Sequence, residues 1–302
     1  MSVVEDKLKT MEEAVKTIRD GDHIAVSGFA STRNAMAFAH ELIRQKKRDL
    51  TISVCIATLE TDMLVGAGCV KKLIYGGGRL DRFGPFWNID RAKVENRILV
   101  EEYSGLCICL KYLAGALGIP YIPSKSLLGS DILRRLQETA PDQIKVTECP
   151  FTGEKLVLLR ALEPDVAVIH AQVVDREGNA WIYGPLFETK EKARAAKRVI
   201  ITAEEIVDTE IIRNDPERTV IPGYRVDTVV YAPFGAHPTS CYKYYDYDLE
   251  HIQLYLEACE KGEFEKYLKE YVLGVDNHWE YLEKIGGAKK LFSLKADPYY
   301  GY

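Results

Sequence analysis

The sequence lacks several features that would assign it to a class at once. No stretch approaches the ~20 consecutive apolar residues that a membrane-spanning helix needs, and the first fifteen residues contain no positive segment followed by an apolar run. We therefore expect a cytoplasmic protein without a membrane partner. The 40 Lys and Arg residues are interspersed with 45 Asp and Glu residues, so no basic face favours nucleic acid as a partner.

Cysteine is sparse, odd in number and scattered, with seven residues in 302. A chain of this length builds its core without disulfide staples, so we expect reduced thiols. Cys107 and Cys109 form the only close pair in the sequence, and a C-x-C pattern without a second pair or a nearby His is a poor metal-binding pattern. The sequence therefore predicts no metal site.

The familiar motifs of nucleotide binding and of serine hydrolases are absent as well: there is no G-x-G-x-x-G, no G-x-x-x-x-G-K-[ST] and no G-x-S-x-G. What the chain does have is a hydrophobic content of 47%. At this length a folded chain buries about 75% of the surface of the unfolded one. Intrinsic disorder is therefore excluded.

The apolar pattern alternates between strands and helices. Thr10 and Glu13 form a capping box for a first helix that we expect to end at Gly21. The strand-then-helix units that follow predict an α/β fold, an open, mostly parallel sheet with helices on both faces. Expected strands lie at 23–29, 50–57, 70–75, 98–100, 166–171, 198–202 and 228–232, and expected helices at 34–45, 63–68, 106–118 and 190–197. Residues 249–287 look all-helical and no linker or repeat is visible, so residues 1–302 should form one domain with a helical C-terminal extension.

The turn after the first strand, residues 27–33, is the first candidate binding site, because open α/β sheets bind ligands at the carboxyl ends of their strands. Gly28 would let the backbone approach a ligand, the following amides could point at an anionic oxygen, and Arg33 could pair with a carboxylate. An ordinary strand-to-helix turn, in which a Ser or Thr caps the next helix, explains the segment equally well.

Three further segments are weaker candidates. The glycines 76–78 could provide a turn with positive φ or room for a ligand. Loop 79–87 mixes arginine with aromatic residues and could line a pocket or a subunit contact, although a solvated loop with its rings in the core explains it at least as well. For Glu101 and Glu102, charge at a helix start is the ordinary explanation and a catalytic carboxylate the minority one.

Other polar residues near strand ends suggest structural roles. Glu204 and Glu205 are adjacent in a strand and point to opposite faces, so we expect one buried hydrogen-bond acceptor and one solvated carboxylate. His170 lies in an apolar run and should be a satisfied core histidine. His237 and Cys241 are four residues apart, but the intervening proline breaks the helix that would bring them onto one face, which favours a structural or substrate-lining loop.

Several segments match a known family in that family's order. They are 20–29 (DGDHIAVSGF), 150–155 (PFTGEK), 165–172 (DVAVIHAQ), 204–206, 211–216, 221–223 and, most specifically, 235–248 (GAHPTSCYKYYDYD). On these segments the chain resembles the class I CoA-transferases, and among them the A subunits of the glutaconate type.

The glycine-rich signature of those A subunits is only partly kept. Family members commonly have glycine-glycine-phenylalanine followed by a glycine and a proline. Here Ser27 replaces the first glycine, Arg33 stands at the later glycine and Ala35 at the proline. Arginine at that place occurs in the glutaconate-type branch, which points away from members that use acetoacetate or succinyl groups.

The resemblance implies a two-subunit enzyme whose nucleophilic glutamate lies on a B subunit, in a serine-glutamate-asparagine-glycine motif that these 302 residues do not contain. A carboxylate would attack the acyl-CoA thioester, form an anhydride and then a glutamyl-CoA thioester, and pass CoA to the acceptor acid. It further implies coenzyme A as a substrate, no tightly bound cofactor, and a partner B subunit in a heterodimer that assembles into A2B2 or a larger oligomer.

In such an enzyme the A-type chain would close the pocket, hold the acyl group and contribute amide donors to the oxyanion. The substrate-binding residues that the resemblance implies are Ser27, Gly28, Phe29, Ser31 and Arg33, with Gly77, Gly78 and His237 as weaker candidates. No catalytic residue is expected in this chain, and Glu102 is the one alternative.

Two other functions stay open. Relatives on the same scaffold decarboxylate glutaconyl-type CoA esters or hydrolytically open a ring on a CoA thioester, and fold alone does not fix function. The hydrolase branch has a glutamate in its A-type chain near the place of Ser104 and Gly105, where this chain has only Glu101 and Glu102 close by. A non-catalytic metabolite-binding or assembly protein is the second alternative, supported only by the missing nucleophile.

Overall fold

The computed structural model describes residues 6–297 and 299–301. Its strands are β1 (Leu8–Lys9), β2 (His23–Val26), β3 (Leu50–Val54), β4 (Val70–Tyr75), β5 (Leu99–Glu102), β6 (Tyr121–Ser124), β7 (Ile144–Glu148), β8 (Lys155–Arg160), β9 (Val166–Asp175), β10 (Ala180–Trp181), β11 (Arg198–Val207), β12 (Thr219–Ile221) and β13 (Thr228–Tyr231). Its helices are α1 (Met11–Lys16), α2 (Met36–Arg44), α3 (Leu59–Gly66), α4 (Trp87–Val94), α5 (Gly105–Ala116), α6 (Asp131–Thr139), α7 (Thr189–Ala195), α8 (Thr209–Arg213), α9 (Leu249–Glu260), α10 (Phe264–Tyr271), α11 (His278–Lys284) and α12 (Gly287–Leu294).

The main sheet is parallel along its whole central path, in the order β1-β13-β11-β9-β2-β3-β4-β5. The short strand β10 pairs antiparallel with β9 and with β12 at its side. Neighbouring parallel strands end at the same edge, so the segments that follow β2, β3, β4 and β5 lie next to one another. The predicted α/β sheet is confirmed.

Both faces of this sheet are buried, as the continuous apolar runs predict. In β9, Val166 and Val168 belong to a core with α2, α3 and α9, whereas Ala167 and Ile169 belong to a second core with α5 and α7. Alternate residues of one strand therefore support two helical layers.

A second sheet, β6-β8-β7, is antiparallel and does not follow from the sequence pattern. Four of the five residues of β7 are exposed, and only Ile144 is buried. Val157 and Leu159 of β8 provide the apolar side that joins the second core. Ile144 and Val146 of β7 do alternate with polar residues, but the alternation covers only five residues and the prediction does not include a strand there.

Some element ends differ from the prediction. The capping box of Thr10 and Glu13 is confirmed, but α1 ends at Lys16 and not at Gly21, with Thr17 as its C-cap. β2 ends at Val26 because the backbone turns at Gly28, whose φ is +94°. Helix α4 is an addition that the sequence pattern does not predict.

Glu101 and Glu102 lie inside β5, so the expectation that they charge a helix N-terminus is wrong. The helix that follows, α5, is capped by Ser104, whose hydroxyl accepts a hydrogen bond from the Cys107 amide. The prediction of one domain over residues 1–302 stays a prediction, since residues 1–5, 298 and 302 lie outside the described residues. Within the described part of the chain, no helix is long and apolar enough to cross a membrane.

Glu60 is a buried acid in the first turn of α3. It is 1% exposed, and neither carboxyl oxygen makes a hydrogen bond of normal geometry to the described residues. Burial disfavours the charged form and raises the pKa of Glu60 from 4.5 to about 7, a shift that the nearby Thr58 hydroxyl opposes only in part. Its ionisation should therefore make stability depend on pH.

We predict that Glu60→Gln stabilises the protein at pH 8 but not at pH 4. The unfolded chain loses the Glu60 proton near pH 4.5 and the folded chain near pH 7. The free energy of unfolding should therefore fall as pH rises through this interval, by about 3 kcal/mol relative to the variant. Urea unfolding of both proteins between pH 4 and pH 8 measures the difference.

The control is Glu138→Gln, which changes an exposed residue of α6. Its free energy of unfolding should follow that of the wild type at every pH. If the Glu60→Gln and wild-type curves run parallel across the whole range, the proposed titration of Glu60 is wrong.

Candidate functional site

Asn34 joins the turn after β2 to the segment after β3. Its side-chain oxygen accepts a hydrogen bond from the Leu59 amide at 3.1 Å, and its side-chain nitrogen donates to the Thr32 carbonyl at 3.2 Å. A Cβ on Gly28 would lie 2.4 Å from that nitrogen. Position 28 therefore requires glycine for two reasons, its positive φ and the close approach of the Asn34 side chain.

The segment after β3 in turn meets the glycines after β4. The Gly76 amide donates to the Cys55 carbonyl at 2.9 Å, and the Ala57 amide donates to the Gly77 carbonyl at 3.0 Å. A Cβ on Gly76 would lie 2.5 Å from the Cys55 carbonyl oxygen, so this residue must be glycine for packing.

Gly77 differs from its neighbours because its open side faces space and not protein. Its φ is +88°, and the nearest atom to a Cβ placed there would be a carboxylate oxygen of Glu102, at 3.9 Å. The amide nitrogens of Gly28, Gly77 and Gly78 donate to none of the described residues. These turns therefore change the direction of the chain at positive φ and also carry N–H groups without a partner among the described residues.

Arg33 occupies a left-handed backbone conformation, with φ +55°. This explains how it can stand where the family commonly has glycine. Its guanidinium is buried and donates to the carbonyls of His170, at 3.0 Å, and Pro185, at 3.1 Å, and to the Thr189 hydroxyl at 3.3 Å. The side chain thus ties the turn to β9 and to the start of α7, and a substrate carboxylate would have to compete with these acceptors.

The other residues predicted in this turn have different surroundings. The hydroxyl of Ser27 is buried and accepts a hydrogen bond from the His170 amide at 3.0 Å. Phe29 is partly exposed and stacks on Phe187, with 3.9 Å between ring centroids. The Ser31 carbonyl accepts a hydrogen bond from the Ser240 amide.

The simpler explanation of this turn, a Ser or Thr that caps the next helix, is wrong. The N-cap of α2 is Ala35, which makes no side-chain hydrogen bond. Helix α2 starts instead against the loop that follows β13, where the Gly235 carbonyl accepts a hydrogen bond from the Ala37 amide.

His237 lies in that loop and is buried, away from open space. Its imidazole bonds the Tyr281 hydroxyl at 2.7 Å and a carboxylate oxygen of Asp248 at 3.1 Å. Burial lowers the pKa of His237 even though Asp248 opposes the shift. The structure therefore places His237 in a polar cluster with Tyr281 of α11 and with Asp248, the N-cap of α9. Cys241 lies outside this cluster, near His170 and Glu204.

The expectations for Glu204, Glu205 and His170 are confirmed. Glu204 is buried and accepts hydrogen bonds from the Tyr245 hydroxyl, at 2.6 Å, and the Phe234 amide, at 2.7 Å. Its other neighbour is the His170 ring, whose two nitrogens bond Glu204 and Thr202. Glu205 is exposed.

The two carboxylates of β5 also differ in burial, as Glu204 and Glu205 do. Glu101 is buried, pairs with Lys72 at 2.6 Å and accepts a hydrogen bond from the Tyr103 hydroxyl. Glu102 is partly exposed, 3.7 Å from Lys93 and beside Gly77. Of the two, Glu102 is the carboxylate that a ligand on the glycine turns could reach.

Cys55 and Cys109 form a close pair near the same edge of the sheet, which the sequence does not predict. Cys109 does not pair with Cys107, which is buried in the second core, but with Cys55, at a sulfur–sulfur distance of 3.6 Å. Either thiol can be the donor in this contact, and the contact lowers the pKa of Cys109 and raises that of Cys55. Fifty-four residues separate the two, so no local spacing could reveal them.

Two cavities bear on the position of the site. One of about 890 Å³ lies beyond the end of β11 and is lined by Glu205, Asp208 and Tyr231, away from the glycine turns. A smaller one of about 330 Å³ borders the turn after β2 and is lined by Thr32 and Ser240 among others. Of the two, only the smaller borders a glycine turn, and it does so through Thr32 and not through Gly28. The candidate site is therefore defined by the glycine turns and not by either cavity.

Comparison with known proteins identifies the family of this chain. A model of the coenzyme A transferase family matches residues 8–232. The chain is 36% identical to the A subunit of glutaconate CoA-transferase from Acidaminococcus fermentans, over 98% of this chain and 97% of that one. It is 37% identical to the A subunit of 3-oxoadipate CoA-transferase from Pseudomonas knackmussii, over 94% of this chain and 99% of that one.

The fold is equally similar. A crystal structure of glutaconate coenzyme A-transferase from Acidaminococcus fermentans superposes with a TM-score of 0.92 and 35% identity, over 98% of both chains. A protein from Archaeoglobus fulgidus is 40% identical over 96% of this chain, which spans 64% of that longer relative. The chain therefore belongs to the coenzyme A transferase family, within class I and of the A type.

Proposed function

We propose that this chain is the A-type component of a cytoplasmic hetero-oligomer that moves CoA from an acyl-CoA thioester to a carboxylic acid. The nucleophile is a glutamate of the partner B subunit, on which a glutamyl-CoA intermediate forms, and the assembly is A2B2 or larger. Coenzyme A is a substrate, and no cofactor is tightly bound. The similarity to the A subunits of two CoA-transferases over nearly the whole chain carries this proposal.

The glycine turns support a role in binding the reacting acyl group. Attack of a carboxylate on a thioester places negative charge on the former carbonyl oxygen, and fixed N–H donors stabilise that charge. The amides of Gly28, Gly77 and Gly78 have no partner among the described residues. Phe29, stacked on Phe187, offers an apolar wall next to the first of them.

The acceptor acid is proposed to be a dicarboxylate. The two relatives are named for glutaconate and 3-oxoadipate, and both of these acids carry two carboxylates. Ser27, Ser31 and Arg33 shape the adjoining turn, and His237 holds the neighbouring loop through Tyr281 and Asp248. Their role is to hold the turn in place while the amides contact substrate.

The first test is chemical trapping in the purified complex with its partner subunit. After addition of acyl-CoA and reduction with borohydride, peptide mass spectrometry should find a modified glutamate on the partner and none on this chain. The reason is that covalent transfer through a carboxylate leaves a thioester that borohydride reduces. The isolated chain is the negative control.

Glu102→Gln serves as the second control, because it removes the partly exposed carboxylate next to Gly77. Trapping on the partner should persist in this variant. A complex that consumes acyl-CoA without any trapped glutamate, or that releases free acid and loses turnover with Glu102→Gln, would favour the hydrolase alternative. Release of carbon dioxide would favour the decarboxylase.

A matched pair of glycines tests the role of the turn after β4. Gly68 and Gly77 flank this strand, and both have positive φ. A Cβ added to Gly77 would have Glu102 as its only neighbour, at 3.9 Å, and a Cβ added to Gly68 would have no neighbour within 4 Å. We expect Gly77→Ala and Gly68→Ala to lose a similar stability, about 1–2 kcal/mol. Only Gly77→Ala should lower kcat/KM, by about tenfold or more, because its methyl group enters the reacting region.

Thermal unfolding and steady-state kinetics of the partner complex measure the two effects separately. Equal kcat/KM values for the two variants would contradict the proposal that the turn at glycines 76–78 binds the reacting group.

The acceptor class is tested by comparing glutaconate with acetate at a fixed acyl-CoA concentration. We expect a kcat/KM for glutaconate that is higher by about tenfold or more, since a second carboxylate adds charge-assisted contacts in the pocket. Equal values for the two acids would contradict a dicarboxylate site but leave CoA transfer itself intact.

A further inference from the structure

We propose that Cys55, Cys109 and Glu188 form a binding site for a thiophilic divalent metal ion of the Zn²⁺ class. The site lies where β3, α5 and α7 meet. It differs from the sequence-based expectation of no metal site, because that expectation considered only the C-x-C spacing of Cys107 and Cys109. It is independent of the proposed transferase activity, since its three residues are outside the free-amide set.

Three donor atoms converge there. A sulfur of each cysteine and a carboxylate oxygen of Glu188 all lie within 4.8 Å of one another. The two sulfurs are 3.6 Å apart. Two thiolates bound to a tetrahedral zinc ion, each at about 2.3 Å from it, are separated by about 3.8 Å. The cysteines therefore already stand close to the spacing that the metal requires.

Glu188 supplies the second, independent observation. Its side chain is 2% exposed. One carboxylate oxygen accepts hydrogen bonds from the Cys55 amide at 3.2 Å and from the Lys192 ammonium at 2.5 Å. The other oxygen is buried and has no hydrogen-bond partner among the described residues. A buried carboxylate oxygen without a partner is costly, and a metal ion would satisfy it.

The charges around the cluster balance when a divalent ion binds. Two thiolates and one carboxylate carry three negative charges, and the ion together with the Lys192 ammonium carries three positive ones. Lys192 is held in place by the Val26 carbonyl and by the face of the Tyr112 ring. Without the ion, two neutral thiols and the Glu188–Lys192 pair are balanced as well, so binding releases two protons.

The cluster is reachable and leaves a coordination position open. Cys109 is partly exposed, whereas Cys55 and Glu188 are buried. An accessible zinc site usually has three protein ligands and a fourth position that water or substrate occupies. A disulfide between the same cysteines would leave the free oxygen of Glu188 unsatisfied, which is why the geometry favours a metal.

The test uses the full-length reduced chain, freed of metal by chelation and titrated with Zn²⁺ in competition with a chromophoric chelator. We expect one ion per chain. Co²⁺, used as a spectroscopic probe, should give a thiolate-to-cobalt charge-transfer band and the intense visible bands of tetrahedral coordination. Zn²⁺ should also protect Cys109 of the wild-type protein from alkylation.

Cys109→Ser is the main variant, because Cys109 is the least buried ligand and its replacement is the least disruptive. Zinc affinity should fall by about tenfold or more, the scale that changes around a metal site produce. Glu188→Gln should weaken binding as well. Cys149→Ser is the matched control: Cys149 is also partly exposed, lies outside the cluster, and its loss should leave affinity unchanged.

Equal zinc affinity in the wild type and Cys109→Ser, or the absence of the thiolate-to-cobalt band, would overturn the proposal. So would a disulfide between Cys55 and Cys109 that forms under mild oxidation while Zn²⁺ gives no protection. In that case the pair is a redox-active dithiol. Failure of the transferase tests would leave the zinc measurements unaffected.

Discussion

The buried guanidinium of Arg33 is the interaction on which the arrangement of the site depends. A charged group inside the protein is tolerated only when its donors find acceptors, since an unpaired buried charge is strongly destabilising. The two terminal nitrogens of Arg33 find them in three places, β9, the segment before α7 and the first turn of α7, whereas its Nε has no partner among the described residues. One side chain thereby fixes the position of three segments that are distant from it in sequence.

The consequences extend to the rest of the site. The segment that Arg33 holds carries Phe187, which stacks on Phe29, and Glu188, which binds the Cys55 amide. Cys55 in turn positions Gly76 through its carbonyl. The turns after β2, β3 and β4 are therefore fixed relative to each other by hydrogen bonds and close glycine contacts. Such preorganised donors are what stabilisation of a developing oxyanion needs.

The parts of this structure that can be predicted from the sequence are the periodic ones. The strand predicted at 70–75 matches β4 to the residue, because glycines lie close to both of its ends and Leu73, Ile74 and Tyr75 form a buried run, although Lys71 and Lys72 interrupt the apolar pattern. That one of Glu204 and Glu205 is buried and the other exposed follows from strand alternation, whereas the assignment of the buried one needs the structure. In the mostly exposed strand β7 the alternation is too short to predict a strand by itself.

The site itself is predictable only in its glycine turns. The partners of Arg33 and the pairing of Cys55 with Cys109 arise from contacts across 54 to 156 residues, and no local spacing encodes them. From its charge alone, Arg33 suggests a carboxylate ligand. Its left-handed backbone and main-chain acceptors become visible only once β9 and α7 are in place.

Glu188 lies between the proposed metal site and the glycine turns, and its two carboxylate oxygens have different surroundings. One holds the Cys55 amide and so supports the turn that leads to Gly76. The other is buried and has no partner among the described residues. A ligand on the second oxygen would draw Glu188 and Cys55 into a more rigid unit, to which the glycine turns are attached through the Cys55 carbonyl. Since amide donors act best when they need not reorganise during the reaction, the hydrogen bond from the Cys55 amide to Glu188 contributes to the amide site whether or not the cysteine cluster holds an ion.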